Sequence, residues 1–238
     1  MAELSPMMQQ YFDIKQQHKD HILFFRLGDF YEMFFDDAVL ASKELELTLT
    51  GKDCGQAERA PMCGIPYHSC EGYIARLISK GYKVAICEQT EDPALAKGLV
   101  KRDVIRVITP GTVIESSMLE DDKNNYIGSV FIGGKNKAGV SFADISTGTV
   151  HTSLLSTADI SRDIINELCR FSPSEVIFNT ALLDFKDITV YLKQQLCCSV
   201  ELLEDEVFTQ DNIKSNLANQ FGNDYLSDIN VYGQDEVQ

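Results

Sequence analysis

An aromatic and a carboxylate side chain stand two residues apart in Phe30-Tyr31-Glu32, directly after the turn-forming pair Gly28-Asp29. On an extended backbone Phe30 and Glu32 point to the same side, whereas on a helix they lie about 200° apart. An aromatic wedge can insert at a base step and kink duplex DNA. A neighbouring carboxylate can accept a hydrogen bond from a base N–H. Because it also repels phosphates, it would improve discrimination and not affinity.

A competing interpretation of Phe30 comes from helical periodicity. Phe30 begins a series of apolar residues at helical spacing, which continues with Phe34, Ala38, Ala41 and Leu45. The polar residues between them fall off this stripe, a pattern typical of an amphipathic helix. The periodicity therefore predicts a helix from Phe30, with Phe30 in the core.

Potential metal ligands cluster in one loop region, namely Cys54, Cys63, His68 and Cys70. Zinc ligands usually come in pairs about two to four residues apart, and here the only such pair is His68 and Cys70. The spacing therefore favours free thiols over a metal site. It gives no support to a thiol nucleophile either, whether Cys63 or Cys87 with His68 as its base.

A nucleotide-binding loop fails on particular residues. The nearest approach to GxxxxGK[ST] is Gly134-Lys135, but Asn136 follows the lysine and Ser129 stands where the first glycine should be. Backbone amides cradle phosphate and the hydroxyl holds Mg²⁺ in such loops, so neither position is dispensable. The sequence predicts no ATP site in this chain.

A two-metal nuclease needs several carboxylates on neighbouring elements. In residues 126–238 the predicted first strand, Tyr126–Ile132, contains no acid. Asp144 lies on the second strand and Glu167 near the end of the following helix, and two scattered acids do not form a metal cage. A metal-dependent nuclease on residues 126–238 is therefore an alternative function that lacks its catalytic apparatus.

The charge of the chain is unevenly distributed. The net charge of −15 over 238 residues and the pI near 4.6 argue against a general nucleic-acid or anionic-membrane binder. However, residues 1–115 carry −4 and residues 116–238 carry −11. Within the first half, residues 76–106 hold seven basic and four acidic side chains. A locally basic surface can therefore exist within an acidic chain.

Cysteine usage and the N-terminus indicate a cytoplasmic protein. The seven cysteines form no CxxC pair, which favours reduced thiols over a disulfide framework. The first residues lack both a basic and an apolar region of a secretory signal. No apolar run reaches the ~18–20 residues of a membrane span, so we expect no membrane association.

The elements that must position these residues fall into two groups. In residues 1–115 the patterns predict a mixed α/β domain, with a helix to about Gln17, a buried strand at Ile22–Leu27 and a loop between about 46 and 60. Residues 116–125 are polar and acidic and predict the domain linker. After it the order βββαβαβα, which begins with a meander, predicts a central sheet with helices packed against it.

Several segments combine into one pattern: Ser5–Tyr11, Arg26–Phe34, Pro61–His68, Val84–Gln89, Val107–Thr112, Asp144–Gly148 and Gln220–Gly222. Together they resemble the MutS family of bacterial DNA mismatch-recognition proteins. The resemblance covers essentially the whole chain and is most specific in residues 1–115.

This resemblance implies a two-domain α/β chain. Residues 1–115 would be a mixed α/β mismatch-recognition domain, 116–125 a linker, and 126–238 a non-catalytic connector domain of ribonuclease H-like fold. In the family, the Phe of the Phe-x-Glu motif stacks on a mispaired or unpaired base and the Glu hydrogen-bonds to it, roles that fall here on Phe30 and Glu32. Basic side chains would then position the wedge by contacting phosphates, and the candidates are Lys52, Arg76, Lys97, Arg102 and Arg106.

The resemblance also implies what this chain lacks. The lever, clamp and ATPase domains of the family have no counterpart in it, so we expect no enzymatic activity and no cofactor, with ATP and Mg²⁺ confined to the ATPase domain. Intact members are homodimers held mainly by that domain, which predicts a monomer here. The expected partners are mismatched double-stranded DNA and, through the connector, MutL. A purely protein-docking chain is the other alternative.

Overall fold

The computed structural model describes residues 4–91 and 98–222. The chain forms two compact units, Met1–Pro110 and Gly111–Gln238, and each contains a sheet with helices. This confirms the predicted two-domain α/β class. Within the described ranges, no helix combines the length and the apolar character needed to cross a lipid bilayer.

The first unit is built on a six-stranded sheet with the order β3-β4-β2-β1-β5-β6. Its strands are β1 (Ile22–Leu27), β2 (Phe30–Phe34), β3 (Thr50–Lys52), β4 (Ala60–Pro66), β5 (Val84–Gln89) and β6 (Arg102–Ile108). Its helices are α1 (Pro6–Gln17), α2 (Phe35–Leu45) and α3 (Glu71–Ile78), with a short 3-10 helix at Tyr67–Ser69. Strands β1 and β5 are parallel, and all other neighbours are antiparallel.

Helix α1 covers one face of this sheet. Ser5 caps the helix through its side chain and Pro6 occupies the first turn, as the Ser-Pro pair predicts. Tyr11 packs edge-on against Phe25 of β1 and Phe34 of β2, with ring centroids 5.6 and 5.1 Å apart. The inward face of β2 is therefore core at Phe34.

Asp37 links α1, α2 and β1. Its carboxylate accepts hydrogen bonds from the Leu23 amide at 3.0 Å, the Lys15 ammonium at 2.9 Å and the Tyr11 hydroxyl at 3.4 Å. It lies in the first turn of α2, where the helix dipole favours negative charge. Burial, reinforced by the Asp37 charge, raises the pKa of Tyr11, so this hydroxyl stays a donor.

The predicted helix from Phe30 is wrong in its first turn. Phe30–Phe34 is strand β2, and α2 begins at Phe35, whose φ of 52° lies in a region that bulky residues rarely adopt. The strand forms because β1 and β4 flank it and satisfy its backbone groups on both sides. The loop predicted between about 46 and 60 also contains β3, and β4 begins at its end.

The second unit contains a five-stranded sheet with the order β11-β10-β7-β8-β9. Its strands are β7 (Tyr126–Gly134), β8 (Lys137–Asp144), β9 (Thr149–Ser156), β10 (Glu175–Phe178) and β11 (Ser199–Leu202). Its helices are α4 (Ile160–Phe171), α5 (Lys186–Tyr191) and α6 (Gln210–Phe221). An antiparallel meander of β7, β8 and β9 continues into parallel β10 and β11, the arrangement of a ribonuclease H-like fold.

The apolar stripe Ile160, Ile164 and Leu168 of α4 faces the core of this unit, as its spacing predicts. The apolar pattern of Ala181–Leu196 predicts a single helix, but the structure forms three short pieces there. They are a 3-10 helix at Thr180–Asp184, α5, and a π-helical turn at Leu192–Leu196.

The segment before β7 is bonded to the second unit. The Gly111 amide donates to Glu175 Oε2 at 3.1 Å, and a Cβ on Gly111 would come within 2.9 Å of the Glu175 Cβ. The Asn124 side chain donates to Asp144 at 2.9 Å. The compact units thus divide before the predicted linker 116–125.

Asp144 organises the turn from β8 into β9. Its carboxylate accepts bonds from the Ser146 amide and hydroxyl at 2.9 and 2.6 Å, the Asn124 side chain at 2.9 Å, and the Thr147 and Asn125 amides at 3.3 Å. The residue is 1% exposed. Burial alone would raise the pKa of the Asp144 carboxyl, but these hydrogen bonds outweigh it and hold the pKa below its usual value.

We expect Asp144→Asn to lower the free energy of unfolding of the second unit by about 2–3 kcal/mol at neutral pH. The reason is that the N–H₂ group of the new amide would face the same hydrogen-bond donors that now bind the carboxylate. The folded-state pKa of Asp144 is lowered, so its stabilisation is complete above the unfolded-state pKa of ~3.9 and is lost as the pH falls through the folded-state value. Urea denaturation of both proteins over a pH series should show a constant difference at neutral pH that shrinks in acid. A difference that grows on acidification would contradict this account.

Candidate nucleic-acid interface

The Phe-x-Glu pair follows a two-residue hairpin loop. Leu27 of β1 pairs with Phe30 of β2, so Gly28 and Asp29 alone form the turn. Gly28 has a φ of 57°, while a Cβ there would meet no atom within 4 Å. Glycine is therefore favoured at position 28 by its positive φ and not by a lack of room for a side chain. The same preference is found in two-residue hairpin loops whose first residue has a positive φ.

Arg26 and Tyr67 hold the tip of the hairpin, Gly28 and Asp29, in place. Arg26 Nε donates to the Gly28 carbonyl at 2.5 Å, and the guanidinium lies 3.4 Å from the centroid of the Tyr67 ring. The Tyr67 amide in turn donates to the Asp29 carbonyl at 3.0 Å. Arg26 also forms an ion pair with Glu88 at 3.1 Å. The tip is thus bonded on both of its residues.

Tyr31 completes this network from within β2. Its hydroxyl donates a short hydrogen bond to Glu88 Oε1, the oxygen that Arg26 also contacts. Burial, followed by the hydrogen bond to Glu88, raises the pKa of Tyr31, which keeps the hydroxyl protonated as a donor. Since Tyr31 faces away from Phe30 on the strand, the network fixes the strand without occupying the face that carries Phe30.

Phe30 is exposed at the start of β2. The residue is 47% exposed, whereas Phe34 on the same face is fully buried under α1. Extended geometry places Phe30, Glu32 and Phe34 on one face, and the opposite face carries the buried Tyr31. The helical interpretation, in which Phe30 is a core residue, is wrong for this reason.

Glu32 lies beside Phe30 on this face and is partly buried. Its pairing partner on β4 is Gly64, where a Cβ would lie 3.5 Å from the Glu32 Cγ. Lys52 on β3 places its ammonium 2.6 Å from Glu32 Oε2 and 5.9 Å from the Phe34 ring centroid. The face therefore presents an aromatic ring, a carboxylate paired with an ammonium, and a strand backbone without a side chain at Gly64.

Arg102 is 7% exposed and bonded within the protein. Its Nε donates to the Arg26 carbonyl at 2.7 Å, and its Nη1 donates to Gln10 Oε1 at 3.0 Å and the Val100 carbonyl at 2.9 Å. The guanidinium also lies 5.1 Å from the Phe25 ring centroid. It joins β6, β1 and α1, a position that favours a structural role.

The other basic candidates occupy different environments. Arg76 on α3 donates to the carbonyls of Leu45 and Glu44 at 3.3 and 3.2 Å, where the C-terminus of α2 favours a cation. Arg106 lies half-buried on β6. Lys97 lies outside the described residues. That any of these candidates contacts phosphate stays a prediction.

The alternative chemistries gain nothing from the structure. Burial raises the pKa of the Cys63 thiol to about 11 and that of Cys87 to about 12, the reverse of what a nucleophile needs. Across residues 4–91 and 98–222, no three His, Cys, Asp or Glu side chains come together to hold a metal. Asp144, the acid on the second strand of the alternative nuclease domain, is already engaged by Ser146 and Thr147 of its own turn and by Asn124 and Asn125 before β7.

Comparison with known families assigns both units. Residues 5–117 match the model of MutS domain I, and residues 125–238 match that of MutS domain II. The chain belongs to the MutS family. Phe30, Glu32 and Lys52 lie in the part that matches MutS domain I, and Asp144 in the part that matches MutS domain II.

Curated relatives agree with this assignment. The DNA mismatch repair protein MutS of Acetivibrio thermocellus is 53% identical over 232 residues, which are 98% of this chain and 26% of that protein. The MutS of Ruminiclostridium cellulolyticum is 54% identical over 93% of the chain and 25% of the relative. The MutS of Alkaliphilus oremlandii is 57% identical over 75% and 20%. The chain thus spans about a quarter of the length of these MutS relatives.

Sequence patterns do not reveal the residues that support the hairpin between β1 and β2. Arg26, Tyr67 and Gly64 lie inside the segments Arg26–Phe34 and Pro61–His68 that carry the family resemblance. No spacing rule connects Arg26 with Tyr67, because their contact depends on how β4 leaves the sheet. Their presence in the family segments was the only available signal.

Proposed function

We propose that the first unit recognises mispaired or unpaired bases in duplex DNA, with Phe30 as an aromatic wedge and Glu32 as the group that hydrogen-bonds to the base. The observation that supports this most is the half-exposed Phe30 on the same strand face as Glu32. An isolated exposed aromatic residue is unremarkable, but this one follows a hairpin loop that Arg26 and Tyr67 hold in place.

The energetics of wedge insertion favour a mispaired base step over a matched one. Opening a base step costs a few kcal/mol, and stacking on an aromatic side chain returns about 1–3 kcal/mol per base. A matched pair also loses its pairing, whereas a mismatch has less to lose. Selectivity would therefore come mainly from how easily the step deforms, which suits recognition of many different mispairs.

Phosphate contacts from the basic candidates would position the wedge on the duplex. Residues 76–106 supply most of the positive charge of the first unit. Four of the candidates belong to this segment, namely Arg76, Lys97, Arg102 and Arg106. Arg102 is bonded within the unit, and the fifth candidate, Lys52, is paired with Glu32. We assign the binding affinity to such contacts and the discrimination to Phe30 and Glu32.

The second unit is proposed to be a connector without catalytic activity. In that role it would relay DNA binding to ATPase domains elsewhere in a longer homodimeric MutS and would recruit MutL, while this chain binds neither ATP nor Mg²⁺. The support is the match to MutS domain II and the ribonuclease H-like sheet. A pull-down with MutL that depends on residues 126–238 tests this part.

Titration with mismatched and matched duplexes tests the proposed function directly. The chain alone should be measured at low salt, since phosphate contacts weaken steeply as salt rises. A chimaera, in which the chain replaces the aligned segment of the Acetivibrio thermocellus relative, adds the remaining contacts of a MutS protein. We expect the chimaera to bind the mismatched duplex more tightly. Equal affinity for both duplexes would refute the proposal.

In this chimaera Glu32→Ala should narrow the ratio of mismatched to matched affinity and raise the affinity for matched DNA. The reason is that the variant loses the acceptor for the base and also removes a negative charge near the phosphates. Fluorescence anisotropy with both duplexes measures the ratio. An unchanged ratio would show that Glu32 does not discriminate.

A further inference from the structure

Within the described part of the chain, one side chain holds the carboxylate of Glu32. The Lys52 ammonium lies 2.6 Å from Oε2, and over residues 4–91 and 98–222 neither side chain has another hydrogen-bonding partner. The contact engages Oε2, and within the described residues Oε1 has no hydrogen-bonding partner. A base N–H that reached Phe30 would therefore find an acceptor already oriented.

An aromatic ring and a strand position without a side chain neighbour this ion pair. The Lys52 ammonium lies 5.9 Å from the ring centroid of the buried Phe34. Gly64 pairs with Glu32 and places no side chain beside it. The pair is partly shielded, with the Lys52 and Glu32 side chains 32% and 16% exposed. Such shielding strengthens a charge-assisted hydrogen bond relative to open solvent.

We infer that Lys52 is a positioning residue for mismatch discrimination, which acts through Glu32 and does not bind phosphate. This inference rests on the proposed function. A lone carboxylate held against the grooves of DNA would be repelled by the phosphates, and the ammonium beside it offsets that charge. By fixing Oε2, Lys52 also directs Oε1 toward the base that stacks on Phe30.

The two roles of Lys52 have different signatures in solution. A lysine that binds phosphate displaces a counterion, so its removal lowers the salt slope of binding by about 0.9 for every duplex. A lysine that is paired with Glu32 changes the ratio of mismatched to matched affinity and leaves the slope unchanged. Its effect also depends on Glu32, which a double-mutant cycle measures.

The test is Lys52→Met in the chimaera, made both with Glu32 present and together with Glu32→Ala. Lys123→Met is the matched control, because Lys123 pairs with Glu120 Oε2 at the same 2.6 Å and lies in the second unit, outside the basic segment 76–106. We expect Lys52→Met to lower the affinity ratio roughly tenfold when Glu32 is present and to have no effect on the ratio in the Glu32→Ala background. Lys52→Arg should retain the ratio, and Lys123→Met should leave both ratio and slope unchanged.

Three results would overturn the inference. The first is an unchanged ratio in Lys52→Met, and the second is an equal loss for both duplexes with a lower salt slope, which would make Lys52 a phosphate contact. The third is the same loss of ratio with and without Glu32. If the unsubstituted chimaera has no mismatch preference, the proposed function fails and the inference fails with it. If the unsubstituted chimaera prefers the mismatch and Lys52→Met keeps the full preference, the inference about Lys52 is refuted while the proposed function stands.

Discussion

Phe30→Ala should abolish the mismatch preference of the chimaera while leaving its salt-dependent binding to matched DNA. The stacking that an aromatic ring returns, about 1–3 kcal/mol per base, corresponds to a loss of roughly 5- to 150-fold in affinity for the mismatch. Matched DNA loses little, because its affinity comes from phosphate contacts. The substitution should hardly change the free energy of unfolding, since Phe30 is 47% exposed.

Phe221→Ala is the matched control for this prediction. Phe221 is 63% exposed and lies on α6 of the second unit. The substitution therefore removes an exposed phenyl ring of the same size outside the proposed wedge. Competition titrations with one mismatched and one matched duplex at two salt concentrations give both the ratio and the slope. If Phe30→Ala still prefers the mispair, Phe30 is not the wedge.

Arg102→Met should destabilise the first unit by about 2–4 kcal/mol, because it removes a buried guanidinium and leaves three partly buried acceptors without their donor. Those acceptors are the carbonyls of Arg26 and Val100 and the Gln10 side chain, which Arg102 contacts at 2.7–3.0 Å. Urea denaturation followed by NMR signals from each unit measures the loss. The second unit should keep its stability and serves as an internal reference.

Arg76→Met is the control for this second prediction. Its side chain is 45% exposed, its ion pair with Glu46 spans 3.7 Å, and its bonds to the Leu45 and Glu44 carbonyls are long at 3.3 and 3.2 Å, so the expected loss is below about 1 kcal/mol. If Arg102→Met left stability unchanged and lowered the salt slope of binding instead, Arg102 would be a phosphate contact and its interior bonds would matter little.

Phe30 shows where sequence periodicity is ambiguous. Phe34 lies four residues after Phe30, which fits one helical face, and it also lies on the same side of an extended strand. The sequence therefore predicts the pair Phe30 and Glu32 as a candidate site, and only the interpretation from helical periodicity, which puts Phe30 in a helix and in the core, is wrong. Residues 30–34 form a strand because β2 pairs with β1 and β4. The local spacing of apolar residues does not encode that pairing.

The arrangement of β3 and β4 was hidden for a related reason. Strand β3 has only the residues Thr50–Lys52, and β4 ends at Pro66 and contains Pro61 and Gly64, which argue against a strand in local patterns. Both form because β2 offers an edge on which β4 and then β3 pair. The contact between Lys52 and Glu32 follows from that tertiary pairing, so no spacing rule could predict it.

By contrast, the second unit was predictable in order and core. Its meander alternates clearly, and the stripe Ile160, Ile164 and Leu168 marks the buried face of α4. Helix boundaries around Lys186 were less predictable, because a continuous apolar pattern does not reveal where α-helical hydrogen bonding gives way to 3-10 and π turns.

The hairpin loop bonded by Arg26 and Tyr67 has a mechanical consequence. When two elastic bodies are pressed together, the softer one takes up most of the deformation. A tip held at both of its residues is stiff, so in the proposed function the duplex and not the protein would yield. Differences in compliance between base steps would then appear almost undiminished as differences in affinity. The first unit would act as a hardness probe, which senses how firmly a base step resists deformation and not which bases the step contains.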